Sequence, residues 1–101
     1  MRRVVVTGMG LLTPLGCGVE TVWHRLLKGD SSATKISKFD PSDYSTSYAC
    51  EIPFGDDSEG KFNPNEWMDL KDRRKVDDFI LYGICAADQA VKDAGWIPDR
   101  E

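Results

Sequence analysis

The amino-acid sequence predicts an α/β fold, and three features of the chain lead to that prediction. Val4, Val5 and Val6 form an uninterrupted β-branched run, which is typical of a strand covered on both faces within a parallel sheet. Two helical patterns follow, one over residues 19–28 and a longer one over residues 68–94. A strand followed by helices within 101 residues indicates a single α/β unit.

Gly8 and Gly10 follow the predicted strand, and two explanations for them differ in function. A glycine-rich turn can cradle a phosphate, but the dinucleotide fingerprint needs a third glycine and a helix that begins at once. Here Thr13-Pro14 follows, the helical pattern begins only near Val19, and no Walker pattern is present. The glycines are better explained if the backbone passes close to another segment or adopts a positive φ.

The first helix is predicted by an apolar stripe with helical spacing. Glu20 in its first turn and Lys28 in its last turn complement the helix dipole, and Gly29 is the expected stop. His24 lies off the stripe, so we expect a solvated residue without a catalytic role. The stripe comprises Val19, Val22, Trp23, Leu26 and Leu27.

Residues 30–66 are rich in Ser, Asp, Gly and Pro, a composition typical of loops. Residues 48–52 predict one short strand there, which Pro53 ends. A compact domain of this size rarely carries so much irregular chain unless other parts of a protein hold it.

The second helix is predicted over residues 68–94 with a break near its start, and Gly95 is expected to end it. Small residues in this helix would let another element approach closely, and Cys85 is expected to pack rather than to react. The small residues are Gly83, Ala86, Ala87 and Ala90. The expected buried stripe comprises Val76, Phe79, Ile80, Gly83, Ile84, Ala87, Val91 and Ala94.

Composition and charge argue against several functions. The net charge of −4 makes the chain a poor nucleic-acid binder, and no apolar run is long enough to span a membrane. The three widely spaced cysteines and the single histidine offer neither a zinc-binding spacing nor a disulfide framework, which favours reduced thiols in a cytoplasmic protein. Leu15-Gly16-Cys17 superficially resembles a lipoprotein signal, but Thr7-Gly8 and Thr13-Pro14 interrupt the apolar region before it.

The predicted sheet is incomplete. A strand covered on both faces needs neighbours on either side, and the rest of the chain offers at most one weak candidate. We therefore expect residues 1–101 to be the amino-terminal portion of a larger α/β structure, with the remainder of the same protein as its partner.

Six stretches, in order along the chain, together resemble the amino-terminal part of the β-ketoacyl-acyl carrier protein synthases, most closely the type II enzymes of fatty acid biosynthesis. Each motif is weak by itself, and their combined order and spacing make the resemblance specific. They are V-V-V-T-G-M-G at residues 4–10, T-P-L-G at 13–16, V-x-x-x-W-x-x-L-L-x-G at 19–29, F-D-P-S-x-Y at 39–44, R-K-V-D-D-F-I-x-Y-G at 74–83 and A-A-D-Q-A-x-x-D-A-G at 86–95.

This resemblance implies a fold and an activity. The fold would be thiolase-like, five-layered (αβαβα) in the complete homodimeric enzyme, with residues 1–101 beginning its first half. The activity would be elongation of fatty acyl chains by decarboxylative Claisen condensation of malonyl-acyl carrier protein with an acyl-cysteine intermediate. The family's catalytic cysteine and two histidines match no residue here, so we expect no catalytic residue and no activity from this chain alone. No metal or cofactor is expected, because the substrates would be carried on the phosphopantetheine of acyl carrier protein.

One functional surface is expected within the chain. Lys71, Arg74 and Lys75 have the spacing of residues on one helix face, and they resemble the basic residues with which this family contacts its acidic carrier protein. The alternative is a solvated helix end whose cations pair with nearby carboxylates. Those carboxylates are Asp69, Asp72, Asp77 and Asp78.

Two other functions stay open at the level of sequence. One is a small non-enzymatic α/β binding module whose basic face recognises an acidic protein, and it predicts that residues 1–101 fold cooperatively alone. The other is a nucleotide-binding α/β fragment, which a bound nucleotide would reveal. The enzyme fragment instead predicts poor folding or aggregation in isolation, because the apolar run from Val4 would have unpaired edges.

Overall fold

The computed structural model describes residues 1–97, which combine helices with short strand pairs. Strand β1 pairs with β2, and β3 pairs with β4, both in antiparallel orientation. Single turns of 3₁₀ helix cover Asp57–Glu59 and Pro64–Glu66. In chain order the elements are β1 (Leu12–Thr13), β2 (Gly16–Cys17), α1 (Val19–Leu27), β3 (Ala33–Lys35), β4 (Tyr48–Cys50), α2 (Leu70–Arg73) and α3 (Asp78–Asp93).

The strand predicted at Val4, Val5 and Val6 is not formed, and that prediction is wrong for the described residues. The three valines are 94%, 68% and 79% exposed and belong to no strand. A strand persists where a neighbour satisfies its backbone N–H and C=O groups, and no segment within residues 1–97 pairs with this one. The expected parallel sheet is likewise absent from these residues, in which one isolated bridge, Phe54 to Phe62, is parallel.

Helix α1 forms where the sequence predicts it. Gly29 follows it with φ 77°, a conformation that glycine adopts without strain, and His24 is exposed as expected. Of the predicted apolar stripe, however, only Val22 is buried. Trp23 and Leu26 stay exposed, because no described element covers them.

The second predicted helix is divided into α2 and α3. The predicted break lies at residues 74–77, where Asp77 adopts an extended N-cap conformation with φ −76° and ψ 160°. Gly95 follows α3 with φ 66° and ends it as predicted. No helix of residues 1–97 has the length and apolar character needed to cross a membrane.

Helix α3 buries a different face from the predicted one. Leu81 and Cys85, one turn apart, are buried against Phe62, whereas Phe79 is 70% exposed and Ile84 is also exposed. Apolar residues surround most of this helix, so the helical period alone does not decide which side meets the core.

Phe62 is the centre of a small core. It is fully buried, and the rings of Phe54 and Tyr82 meet it edge-on at centroid distances of 5.3 and 5.7 Å. The Cα radius of gyration is 16.4 Å, against about 13 Å for a compact domain of about 100 residues. Much of the apolar surface therefore lies outside the core. Partly buried residues around the core are Leu12, Cys17, Ile52, Trp67, Met68 and Tyr82.

The short strand predicted at residues 48–52 is confirmed over Tyr48–Cys50. Its partner, β3, lies in the segment whose composition predicted a loop. All three residues of β3 are exposed, so the strand has no alternating apolar pattern by which sequence analysis could detect it.

Candidate functional site

The basic residues predicted to bind a partner lie where α2 ends. Lys71 belongs to α2, Arg74 is its C-cap with φ −69° and ψ −14°, and Lys75 lies in the following turn. The Lys75 N–H donates to the Asp72 carbonyl oxygen at 3.0 Å, which keeps the backbone helix-like. The three residues, called the basic turn below, therefore share a helix end. The predicted break in the second helix follows directly, because the extended Asp77 separates this helix end from α3.

The side chains of the basic turn are exposed, and none of them forms an ion pair within residues 1–97. The ion pairs of the described chain are Lys61–Glu59 and Lys92–Asp88. The alternative, in which these cations pair with neighbouring aspartates, is therefore not observed. Cations without a bound carboxylate can meet an acidic partner directly, so the geometry favours docking, which stays a prediction.

Arg73 has a different role from the basic residues beside it. Its side chain is half-buried, and Nη1 donates to Asn65 Oδ1 at 2.6 Å. This bond attaches α2 to the 3₁₀ turn Pro64–Glu66. Arg73 therefore positions α2 and does not belong to the exposed basic turn.

Gly8 and Gly10 pack against α3 and do not form an open phosphate cradle. A Cβ atom on Gly10 would collide with the Ala86 carbonyl oxygen and lie 2.7 Å from Gln89 Cβ. A Cβ atom on Gly8 would lie 2.5 Å from the Ala94 nitrogen. The close approach predicted from these glycines is confirmed, because backbone atoms of α3 lie where their Cβ atoms would be.

Two α3 side chains bind the backbone of the same glycine-containing segment. The Met9 N–H donates to Asp93 Oδ2 at 2.9 Å, and the Leu11 N–H donates to Gln89 Oε1 at 3.1 Å. Alternate residues of an extended chain lie about 6.8 Å apart and helix residues four apart lie about 6 Å apart, so the two spacings match. Sequence analysis missed Gln89 and Asp93. The signal was two polar residues four apart, flanking the small Ala90.

A cavity of about 620 Å³, lined by both apolar and charged side chains, lies beside the β3–β4 pair, and sequence analysis did not predict it. Two of its charged residues, Lys61 and Glu51, have partners within the chain. Lys61 pairs with Glu59 at 2.9 Å, and Glu51 accepts hydrogen bonds from the Ser37 N–H at 2.8 Å and the Ser37 hydroxyl at 3.0 Å. The bonds from Ser37 lower the pKa of Glu51.

The cysteines are thiols in different environments. Cys50 is exposed, Cys17 is half-buried and Cys85 is fully buried. Burial raises the pKa of Cys85 to about 12, so this thiol is a poor nucleophile at neutral pH and packs in the core as predicted. Within the part of the chain that the structure describes, no cluster of His, Cys, Asp and Glu is placed to hold a metal ion.

A comparison with protein families shows to which family the chain belongs. The family model described as "Beta-ketoacyl synthase, N-terminal domain" matches residues 1–101. The chain belongs to this family. The resemblance carried by the six sequence stretches is thereby confirmed.

Two curated relatives show what fraction of a full-length synthase the chain covers. It is 54% identical over 101 residues to "3-oxoacyl-[acyl-carrier-protein] synthase 2" of Rhizobium meliloti (strain 1021), covering 100% of this chain and 24% of that protein. It is 40% identical over 116 aligned residues to the mitochondrial 3-oxoacyl-[acyl-carrier-protein] synthase of Arabidopsis thaliana, covering 99% of this chain and 24% of that protein. The chain spans about a quarter of the length of these relatives.

A solved structure agrees with the family assignment. The structure described as "The ishigamide ketosynthase/chain length factor" matches with a TM-score of 0.74 and 35% identity, over 95% of this chain and 22% of that one. The predicted fold class is confirmed, since this ketoacyl synthase chain folds as the amino-terminal part of a thiolase-like structure. The non-enzymatic binding module is not favoured, because the family model spans every residue.

Proposed function

We propose that this chain is the amino-terminal part of a 3-oxoacyl-acyl carrier protein synthase, a condensing acyltransferase of fatty acid biosynthesis. The observation that carries the proposal is the 54% identity to the Rhizobium meliloti synthase over all 101 residues. The complete enzyme is proposed to be a cytoplasmic homodimer. It needs no cofactor of its own, because its substrates arrive on the phosphopantetheine of acyl carrier protein.

In the proposed reaction, a cysteine thiolate first takes the acyl chain as a thioester. The malonyl group then loses its carboxylate as CO₂, and the resulting carbanion attacks the thioester carbonyl and expels the thiolate. Cys85 does not suit the nucleophile's role, since its pKa of about 12 keeps it protonated. The proposed contribution of residues 1–101 is therefore structural support and recognition of the carrier protein.

The basic turn is the proposed contact with acyl carrier protein. Lys71, Arg74 and Lys75 place exposed positive charge on a chain whose net charge is −4. An acidic partner is attracted to such a local field, which raises the association rate and fixes the orientation of approach. Salt screens this attraction over a Debye length of about 10 Å, so docking should depend on ionic strength.

Charge reversal in the complete synthase tests the proposed contact. We expect Arg74→Glu and Lys75→Glu each to weaken acyl carrier protein binding by roughly tenfold at low salt, because an exposed charge contact is worth about 1 kcal/mol and reversal makes it repulsive. The affinity of each variant should also fall less steeply with added salt. Isothermal titration calorimetry with acyl carrier protein at two ionic strengths measures both effects.

Lys28→Glu is the matched control, since it makes the same change of charge at an exposed residue beyond the end of α1. Carrier affinity retained in this control and lost in Arg74→Glu supports a specific docking surface. Unchanged affinity of Arg74→Glu and Lys75→Glu at low salt sinks the docking proposal, and so does an equal loss in all three variants. Absence of carrier binding by the unmodified synthase would instead overturn the proposed function.

A further inference from the structure

Cys17 and Cys85 lie side by side although 68 positions separate them in the sequence. Cys17 belongs to β2 and Cys85 to α3, and their Sγ atoms are 3.8 Å apart. Gln89 Nε2 contacts both sulfurs, at 3.5 Å from Cys17 and 3.3 Å from Cys85. Its Oε1 accepts the Leu11 N–H, so the amide is held at both ends and keeps the two thiols together.

The two sulfurs are in contact, and a short further approach would allow a covalent bond. A disulfide bond is roughly 2.0 Å long, so the Sγ atoms need to approach by about 1.8 Å. Cys85 belongs to the small core, and Cys17 packs against that core. Packing of both residues thus holds the two sulfurs in van der Waals contact.

We infer that Cys17 and Cys85 are a redox-active pair that hydrogen peroxide converts into an intramolecular disulfide, a property separate from the proposed function. Cys17 Sγ attacks one peroxide oxygen, so that an S–O bond forms, the O–O bond breaks and the departing hydroxide takes the thiol proton as water. Cys85 Sγ, held 3.8 Å from Cys17 Sγ, then condenses with the sulfenic sulfur: the S–S bond forms, the S–O bond breaks, and the thiol proton moves in the same step, so that no free Cys85 thiolate is needed. The second hydroxide leaves as water with the Cys85 proton. Each sulfur loses one electron, and the two peroxide oxygens gain them.

The different burial of the two thiols decides their order of reaction. Cys85 is fully buried, so peroxide has no access to its sulfur. Its pKa of about 12 also keeps the thiol protonated, and a protonated thiol reacts slowly with peroxide. Cys17 is half-buried and reacts first, and Cys85 acts as the resolving thiol. Gln89 is a positioning residue, because it contacts both sulfurs. Cys50 lies in the other strand pair and serves as an internal reference.

Peptide mapping of the complete synthase after treatment with hydrogen peroxide tests this inference. Trypsin cleaves after Arg3, Arg25, Lys75 and Lys92, so that Cys17 lies in residues 4–25 and Cys85 in residues 76–92. Under non-reducing conditions we expect the linked pair of these peptides, lighter than their sum by two hydrogen atoms. Dithiothreitol should separate them.

Two variants distinguish this pathway from nonspecific oxidation. In Cys85→Ala, Cys17 should stop at sulfenic acid, which dimedone captures. In Gln89→Leu, linkage of the two peptides should slow several-fold while dimedone labelling of Cys17 persists. Appearance of the linked peptide in the unmodified chain supports the inference even if a variant folds poorly. Oxidation of Cys17 without that linked peptide would overturn it, as would preferential linkage through Cys50.

Discussion

Replacement of Gly10 by alanine is expected to destabilise the protein by about 3 kcal/mol, the upper range for forcing an extra methyl group into a packed site. The added Cβ would collide with the carbonyl oxygen of Ala86 and lie 2.9 Å from the backbone nitrogen of Ala90. Both are backbone atoms of α3, so a side-chain rotation cannot relieve the clash. Separation of the segment from α3 would relieve it, at the loss of the hydrogen bond from Leu11 to Gln89.

Gly83→Ala is the matched control for this prediction. It makes the same substitution inside α3, where no atom lies within 4 Å of the added Cβ. Since alanine is favoured over glycine in a helix interior, we expect a gain of about 0.5–1 kcal/mol. Urea unfolding of the complete synthase, followed by circular dichroism, measures both variants against the unmodified enzyme. A loss below about 0.5 kcal/mol for Gly10→Ala would contradict the close packing of residues 8–11 on α3.

The glycines also indicate which parts of this fold a sequence can predict. Gly29 and Gly95 end helices at positive φ, and Gly8 and Gly10 permit a close backbone approach, as expected. Each conclusion depends on the steric properties of a residue and its immediate neighbours in the chain. The start of α1, the position of the Tyr48–Cys50 strand and the break before α3 are local in the same way.

The features that could not be predicted depend on contacts between distant residues. Val4 requires a strand partner that no described residue supplies, and β3 forms only through its pairing with β4. In the candidate site, too, features set by neighbouring residues could be predicted and features set by distant contacts could not. The position of the basic turn could be predicted, whereas the cluster of Cys17, Cys85 and Gln89 could not, because its two thiols lie 68 positions apart in the sequence.

Phe62→Ala should have the largest effect on stability of any change to the core, a loss of about 4 kcal/mol. Phe62 is fully buried, and the substitution removes its contacts with the rings of Phe54 and Tyr82 and with Leu81. It also leaves a cavity that the surrounding side chains fill only partly, which adds to the lost transfer free energy. Urea unfolding of the complete synthase polypeptide measures the loss.

Phe79→Ala is the matched control, because it removes the same side chain from the α3 face that the sequence predicts to be buried. Phe79 is 70% exposed here, so its removal should destabilise the protein by less than about 1 kcal/mol if the face with Leu81 and Cys85 is the one that packs in the core. A loss at Phe79 as large as that at Phe62 would mean that another part of the synthase covers the predicted stripe. A loss confined to Phe79 would contradict the core centred on Phe62. The pair of variants therefore decides between the two faces of α3, which the helical period of the sequence could not do.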